Sequence, residues 1–220
     1  MGDVVLLQCR GARLGVIALV CLYATAILAS AVAHGRSPYG FEDPAIKWLG
    51  PPFAIRGWAH LAELLAAPTI IAVLVVSFGV GLARRAFVRV VFYAALAAWA
   101  LLISEDGVKP LVQRTYYGEL TFPSGNVTAV SATALAMWLA LGPLLGRRPR
   151  HVTLVLGGEW VLLMSLAVVG ARWHTPLDAI GSVLLSVGVV TAGAAVFEPA
   201  GAPGPCEAME RNLFGEQGGK

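Results

Sequence analysis

The chain has 220 residues, of which 57% are hydrophobic and only 13% charged, with a mean hydropathy of +0.73. Those values lie outside the range of soluble globular domains and mark an integral membrane protein. The formal net charge of +3 comes mostly from two short turns, "ARRAFVR" and "GRRPRH". It reads as topology and contact with anionic lipid rather than as a nucleic-acid surface.

Six apolar runs follow one another, at about 14–34, 61–83, 87–104, 127–145, 152–171 and 177–197. Each is near the ~20 residues a helix needs to cross the hydrocarbon layer. Stretches such as "TIIAVLVVSFGVGLA" show no alternation, which argues against a closed β-barrel. The expected fold class is therefore all-α, a six-transmembrane-helix bundle. Arg10 and Arg13 before the first run, and "AVAHG" after it, also resemble a signal peptide, but the run is long for one and is expected to stay. The third run is the shortest, and Arg89 near its start is expected to snorkel to the interface. Arg84, Arg85, Arg89, Arg147, Arg148 and Arg150 crowd one side, which by the positive-inside rule puts both termini in the cytoplasm. A multi-pass protein of a bacterial plasma membrane is expected, as one domain over 1–200. A disordered cytoplasmic tail is expected from 201 to 220, rich in Gly and Pro. Cys9, Cys21 and Cys206 have no metal-ligand spacing and receive no chemistry.

Ionisable residues at membrane level are costly unless they have a partner or a task. Here they gather in "SEDGVKPLVQRTYYGELTFPSGN" and in "GARWHTPLDAIGS", at the end opposite the arginine-rich turns. His174 and Asp178 are four apart around Pro176, which suits the first turn of a helix. A carboxylate one turn away can accept the imidazole N–H and leave the other ring nitrogen free as nucleophile or base. The plain alternative is a His–Asp pair that caps the sixth helix. Lys109 and Arg114 add positive charge, Ser124 a hydroxyl and Gly125 close backbone approach, and the fourth helix begins near Asn126 with its free N–H groups. Together these are parts of a phosphate site; singly, they could be lipid-facing cations and a helix cap.

At these residues the chain resembles the type 2 phosphatidic acid phosphatases and their vanadium haloperoxidase relatives. That superfamily carries K-x6-R-P, then P-S-G-H, then S-R-x5-H-x3-D, and the resemblance covers roughly residues 60–195. Lys109 matches the first motif, whereas Tyr116 and Tyr117 stand where its Arg-Pro is expected and Arg114 lies two positions early. Pro123, Ser124 and Gly125 match the second, with Asn126 in place of its histidine. His174 and Asp178 match the third, with Ala167 and Val168 at its Ser-Arg and Arg172 displaced toward the histidine. The core motifs thus span 105–182. The resemblance implies a phosphohistidine on His174, oriented by Asp178, with Lys109, Arg114, Ser124, Gly125 and Arg172 around the phosphate.

Asn126 has no proton to give at accessible pH. A missing acid matters most when an alkoxide departs and least when the departing group is itself a phosphate. A diphosphate substrate, such as a polyprenyl diphosphate, is therefore favoured over a monoester. Among other acids, His60 and Glu63 share a helix face, and Glu105 and Asp106 are expected as ion-pair partners of Lys109. Glu159 lies well inside the fifth run and needs some partner. Trp48, Trp58 and Trp173 are read as interfacial anchors. The partners expected are a lipid phosphate or diphosphate and membrane lipids, with no nucleic acid, cofactor or metal, and no protein partner is legible. The alternative is a catalytically inactive relative that binds phospholipid headgroups; a transporter has less support, because no inverted repeat is visible.

Overall fold

A computed structural model describes residues 10–35, 38–49 and 54–197. Cys9, Cys206, Arg211, Lys220 and the tail expected from 201 lie outside the described residues. The elements are α1 (Arg10–Val32), α2 (Asp43–Trp48), α3 (Ile55–Leu65), α4 (Ala67–Ala83), α5 (Phe87–Leu102), a π-helical turn (Ile103–Val108), α6 (Lys109–Val112), β1 (Thr115–Tyr116), β2 (Glu119–Leu120), α7 (Gly125–Leu141), a 3-10 turn (Gly142–Leu144), α8 (Arg147–Gly170) and α9 (Pro176–Phe197). Among the described residues, six helical segments are long and apolar enough to cross a membrane: Gly11–Val32, Ile55–Ala83, Phe87–Val112, Gly125–Leu144, Arg147–Gly170 and Pro176–Phe197. The fold is an all-α, six-helix membrane bundle, and β1 with β2 forms only a two-residue ladder.

Two spans are longer than their apolar cores. The second begins at Ile55 and is jointed at Ala66, because Pro68 has no N–H for the Leu64 carbonyl. The Thr69 hydroxyl donates to that carbonyl at 2.8 Å, and Trp160 Nε1 donates to the Leu65 carbonyl at 2.9 Å, so the joint leaves neither group bare in lipid. The third span, expected to end at 104, runs on through the π-helical turn and α6 to Val112. It carries Glu105 and Lys109 on helix rather than loop.

Arg89 reaches sideways instead of simply snorkelling. Pro143 cannot supply an N–H to the carbonyl four residues back, and Arg89 Nη2 donates to that carbonyl, Leu139 O, at 3.0 Å. Glu159 faces outward from α8 with no hydrogen-bond or ion-pair partner among the described residues, against the expectation of one.

The spans α7 and α9 form the centre of the bundle, with 61% and 50% of their apolar windows buried against 11% for the α3–α4 span. Small polar residues let them approach closely. Ser182 Oγ donates toward the Asp178 and Ser124 carbonyls at 2.7 and 3.0 Å, and Ser186 Oγ toward the Ser182 and Thr128 carbonyls at 2.8 and 3.1 Å. One apolar cluster packs α5, α7 and α9 around Tyr93, Ala136 and Val190, and a second packs α3, α7 and α8 around Ala62, Val130 and Met164. A third, small one, made of Val32, Val112 and Phe122, closes the end of the bundle where the polar motifs gather.

Candidate functional site

Four chain reversals build this end. The helix α6 stops at Gln113, which takes the left-handed conformation at φ 53°. The chain then makes a two-residue hairpin through Tyr117 and Gly118, whose φ values of 51° and 89° give the turn whose twist suits paired strands. Backbone bonds from His34 N to Val112 O (2.9 Å) and from Thr115 N to Gly35 O (2.9 Å) tie the hairpin to the end of α1. Arg114, between the two reversals, is thereby turned inward and only 1% of its side chain is exposed.

The third reversal ends α8. Arg172, at φ 60°, is the left-handed residue of a Schellman motif, in which Arg172 N bonds Val169 O and Trp173 N bonds Val168 O, both at 3.0 Å. Without a glycine at that position the conformation costs roughly 1–2 kcal/mol. The fourth reversal starts α9 with a capping box: Thr175 N donates to Asp178 Oδ2 at 2.8 Å, and Asp178 N donates to Thr175 Oγ1 at 3.4 Å. Pro176 fills the first helical position, where its missing N–H costs nothing. His174 is the residue held between cap and box.

The His174 ring is fixed by a backbone carbonyl. Its Nδ1 lies 3.0 Å from Thr121 O and 3.9 Å from Asp178 Oδ2. A carbonyl can only accept, so Nδ1 carries the hydrogen and the lone pair is on Nε2. The ring N–H expected to donate to Asp178 therefore donates to Thr121 O instead, because Asp178 is committed elsewhere. Burial first, and the Lys109 charge second, push the imidazole down to about 4, with the Thr121 bond opposing them.

Asp178, with none of its side chain exposed, accepts from Arg114 Nη1 at 2.9 Å. Arg114 Nη2 donates to Glu42 Oε2 at 2.6 Å, and the guanidinium lies over the Tyr39 ring, 5.3 Å from its centroid. Glu42 is fully engaged too: Oε2 also accepts from Tyr39 N at 2.8 Å and Oε1 from Leu177 N at 3.2 Å. Arg114 therefore does not extend into open space as a phosphate clamp. It bridges two buried carboxylates, one on the α2 side and one on α9.

The Pro-Ser-Gly stretch enters α7 through a cis Phe122–Pro123 bond. Ser124 is the helix cap, its Oγ accepting from Val127 N at 3.5 Å, and it is fully buried while its own N–H donates to Ser182 Oγ at 2.7 Å. Asn126 is half-buried in the first turn of α7. Lys109 Nζ donates to Glu105 Oε2 at 2.8 Å, the ion pair expected for Glu105. Glu105 Oε1 fills the space a Cβ would need at Gly125, and it is buried with no hydrogen-bond partner.

Thus His174, Lys109, Thr121, Asp178 and the start of α7 converge, while Arg114 is spent behind them. Arg172 lies near the hairpin: its charge acts on Tyr116, whose phenol burial and Tyr117 push above the ordinary range. His60 and Glu63 pair with each other at 3.5 Å, with side chains 85% and 65% exposed. Of the tryptophans read as anchors, Trp48 is exposed, whereas Trp58 turns inward against Gly170 and donates to Leu49 O at 2.9 Å. Sequence reasoning missed Glu42 and the Thr121 carbonyl. The T-P-L-D capping box was available as a pattern. No group of three or more His, Cys, Asp or Glu among the described residues is arranged to hold a metal ion.

The chain matches no protein-family model, and no curated protein matches it. Its fold is similar to a crystal structure of a transmembrane PAP2 type phosphatidylglycerolphosphate phosphatase from Bacillus subtilis, with a TM-score of 0.64. The likeness covers 84% of this chain and 98% of that one at 15% sequence identity.

Proposed function

We propose that the chain is an integral membrane phosphatase that hydrolyses a lipid-linked phosphate or diphosphate through a phosphohistidine on His174. The observation that carries this is the His174 ring held by Thr121 O at 3.0 Å, uncharged at neutral pH and acted on by the Lys109 charge. The fold it shares with a membrane lipid phosphatase supports the same reading.

In the first step Nε2 attacks phosphorus as the bond to the leaving oxygen breaks, while Nδ1–H stays on the Thr121 carbonyl. Lys109 and the N–H groups opening α7 face the charge on the equatorial oxygens. Water then attacks phosphorus, the N–P bond breaks, and phosphate departs. Asp178 acts behind the nucleophile, holding Thr175 and Arg114 so that the 174–178 segment keeps its shape. Because Asn126 cannot donate a proton, diphosphates, and polyprenyl diphosphate among them, are the favoured substrates. The clustering of Arg84, Arg85, Arg147, Arg148 and Arg150 at the other end supports a site on the outer face, and the short loops support a bacterial plasma membrane.

The engagement of Arg114 by Asp178 and Glu42 favours a second reading, a headgroup-binding protein without turnover. Phosphate release by detergent-purified protein in EDTA, from farnesyl diphosphate, farnesyl phosphate and phosphatidic acid, separates the two. Release that disappears in His174→Ala is expected. Lipid binding without release from any of the three favours the second reading, and release that requires added metal refutes the metal-independent mechanism.

A further inference from the structure

Resting on that reading, we infer that Glu105 supplies part of the proton donation that Asn126 cannot, so that monoesters turn over slowly beside the favoured diphosphates. Glu105 stands in the π-helical turn, one helical turn before Lys109, and its two oxygens have unlike surroundings. Oε2 accepts from Lys109 Nζ at 2.8 Å. Oε1 presses on Gly125, at the mouth of α7, buried and without a hydrogen-bond partner. A buried, unpaired carboxylate oxygen is costly, and most such oxygens have a partner. With 39% of its side chain exposed, Glu105 has room to turn Oε1 from Gly125 onto the bridging oxygen of a phosphate ester lying on Lys109 and the first N–H groups of α7.

A phosphate drawn onto Lys109 brings a second anion to the lysine that Glu105 already holds. The proton comes in with the substrate, since a phosphate monoester, whose second pKa is about 6, carries one in its monoanion and can pass it to Oε1. As Nε2 of His174 forms its bond to phosphorus, the phosphorus–oxygen bond breaks, its electron pair goes to the departing oxygen, and that oxygen takes the Glu105 proton. Glu105 is left as a carboxylate. In the second step it takes a proton from the attacking water while the N–P electron pair returns to Nε2, which restores both groups. Asp106, the adjacent acid, is exposed and has no such contact with Gly125.

Glu105→Gln keeps an oxygen for Lys109 and removes only the transferable proton. Its effect depends on the leaving group, which a merely structural role would not produce. With farnesyl phosphate and farnesyl diphosphate as probes, the ratio of diphosphate to monoester turnover is expected to rise at least ~10-fold in Glu105→Gln, within the ~10²–10⁴ that general acid catalysis contributes. Gly125→Ala, whose Cβ displaces Oε1 without removing the carboxyl, should shift the ratio in the same direction. Addition of Asn126→His to Glu105→Gln should restore part of the monoester turnover. Equal losses on both substrates, or none, overturn the role of Glu105 while leaving the phosphatase reading intact. A parent protein that releases phosphate from neither substrate overturns the phosphatase reading and this role together.

Discussion

Arg114 donates from Nη1 to Oδ1 of Asp178 at 2.9 Å, across 64 residues of chain, with 1% and 0% of the two side chains exposed. With Glu42 on Nη2 the guanidinium serves two carboxylates, a planar fork in a place where a point charge could reach only one well. Arg114→Met leaves two buried carboxylates without their cation and should destabilise the folded protein by about 3–5 kcal/mol. Arg114→Lys should fall between it and the parent. Chemical unfolding in detergent measures both, and a Met variant as stable as the parent contradicts the structural role.

The pH behaviour of His174 follows from its lowered value of about 4 against an ordinary 6.5. Between those two pH values the unfolded chain takes up a proton that the folded protein refuses. Stability from this group is therefore complete above about pH 6.5 and is lost as pH falls toward 4. The imidazole stays uncharged across the same interval, so if His174 is the nucleophile proposed above, its protonation should not limit turnover until pH nears 4. Lys109→Met removes the second cause of the shift and should move the imidazole titration upward by NMR; a titration unmoved by that substitution contradicts the proximity of the two charges.

Gly181 of α9 lies against the buried Phe122 ring, next to the Thr121 carbonyl that orients His174. A Cβ there has no room, and overpacking of a buried ring costs about 1–3 kcal/mol. Gly181→Ala should lose stability in that range and lose activity beyond it, since Thr121 moves with Phe122. Gly158→Ala, with no atom near the new Cβ, is the matched control and should be neutral or stabilising by up to about 1 kcal/mol. Similar thermal midpoints for both variants would count against the packing argument.

Asn126→His in the otherwise unaltered chain adds a titratable group at the first turn of α7. Turnover of farnesyl phosphate should rise more than that of farnesyl diphosphate, because only the poorer leaving group gains from a further acid. An equal rise in both would show that the asparagine does not set the preference.

The six apolar runs were legible because lipid demands uninterrupted apolar helices, and no side-chain pairing is needed to see them. The convergence of residues 105–126 with 172–178 at one end follows from the alternation of spans. What could not be read is the use each polar group makes of its neighbours. Glu42 meets Arg114 across 72 residues, a pairing that no local pattern encodes. The Thr121 carbonyl belongs to the backbone and is invisible to residue type. The third apolar run ends at about 104, short of Lys109, yet the chain stays helical through the lysine by widening into a π-helical turn. Trp58 looked interfacial, but a ring that finds a glycine backbone opposite it, here Gly170, packs inward.

The widened turn at Ile103–Val108 also gives the third span one place where its residue count is slack. A π-helical turn accommodates about one residue more than an α-helix does over the same rise. Deletion of one residue within it would let the helix regularise while Lys109 keeps its direction. The same deletion in the regular helix before it would wind every later position of the span about 100° around the axis. The extra residue is thus held where the apolar body of the span meets the segment that carries the lysine, and it can be lost there without turning either against the other.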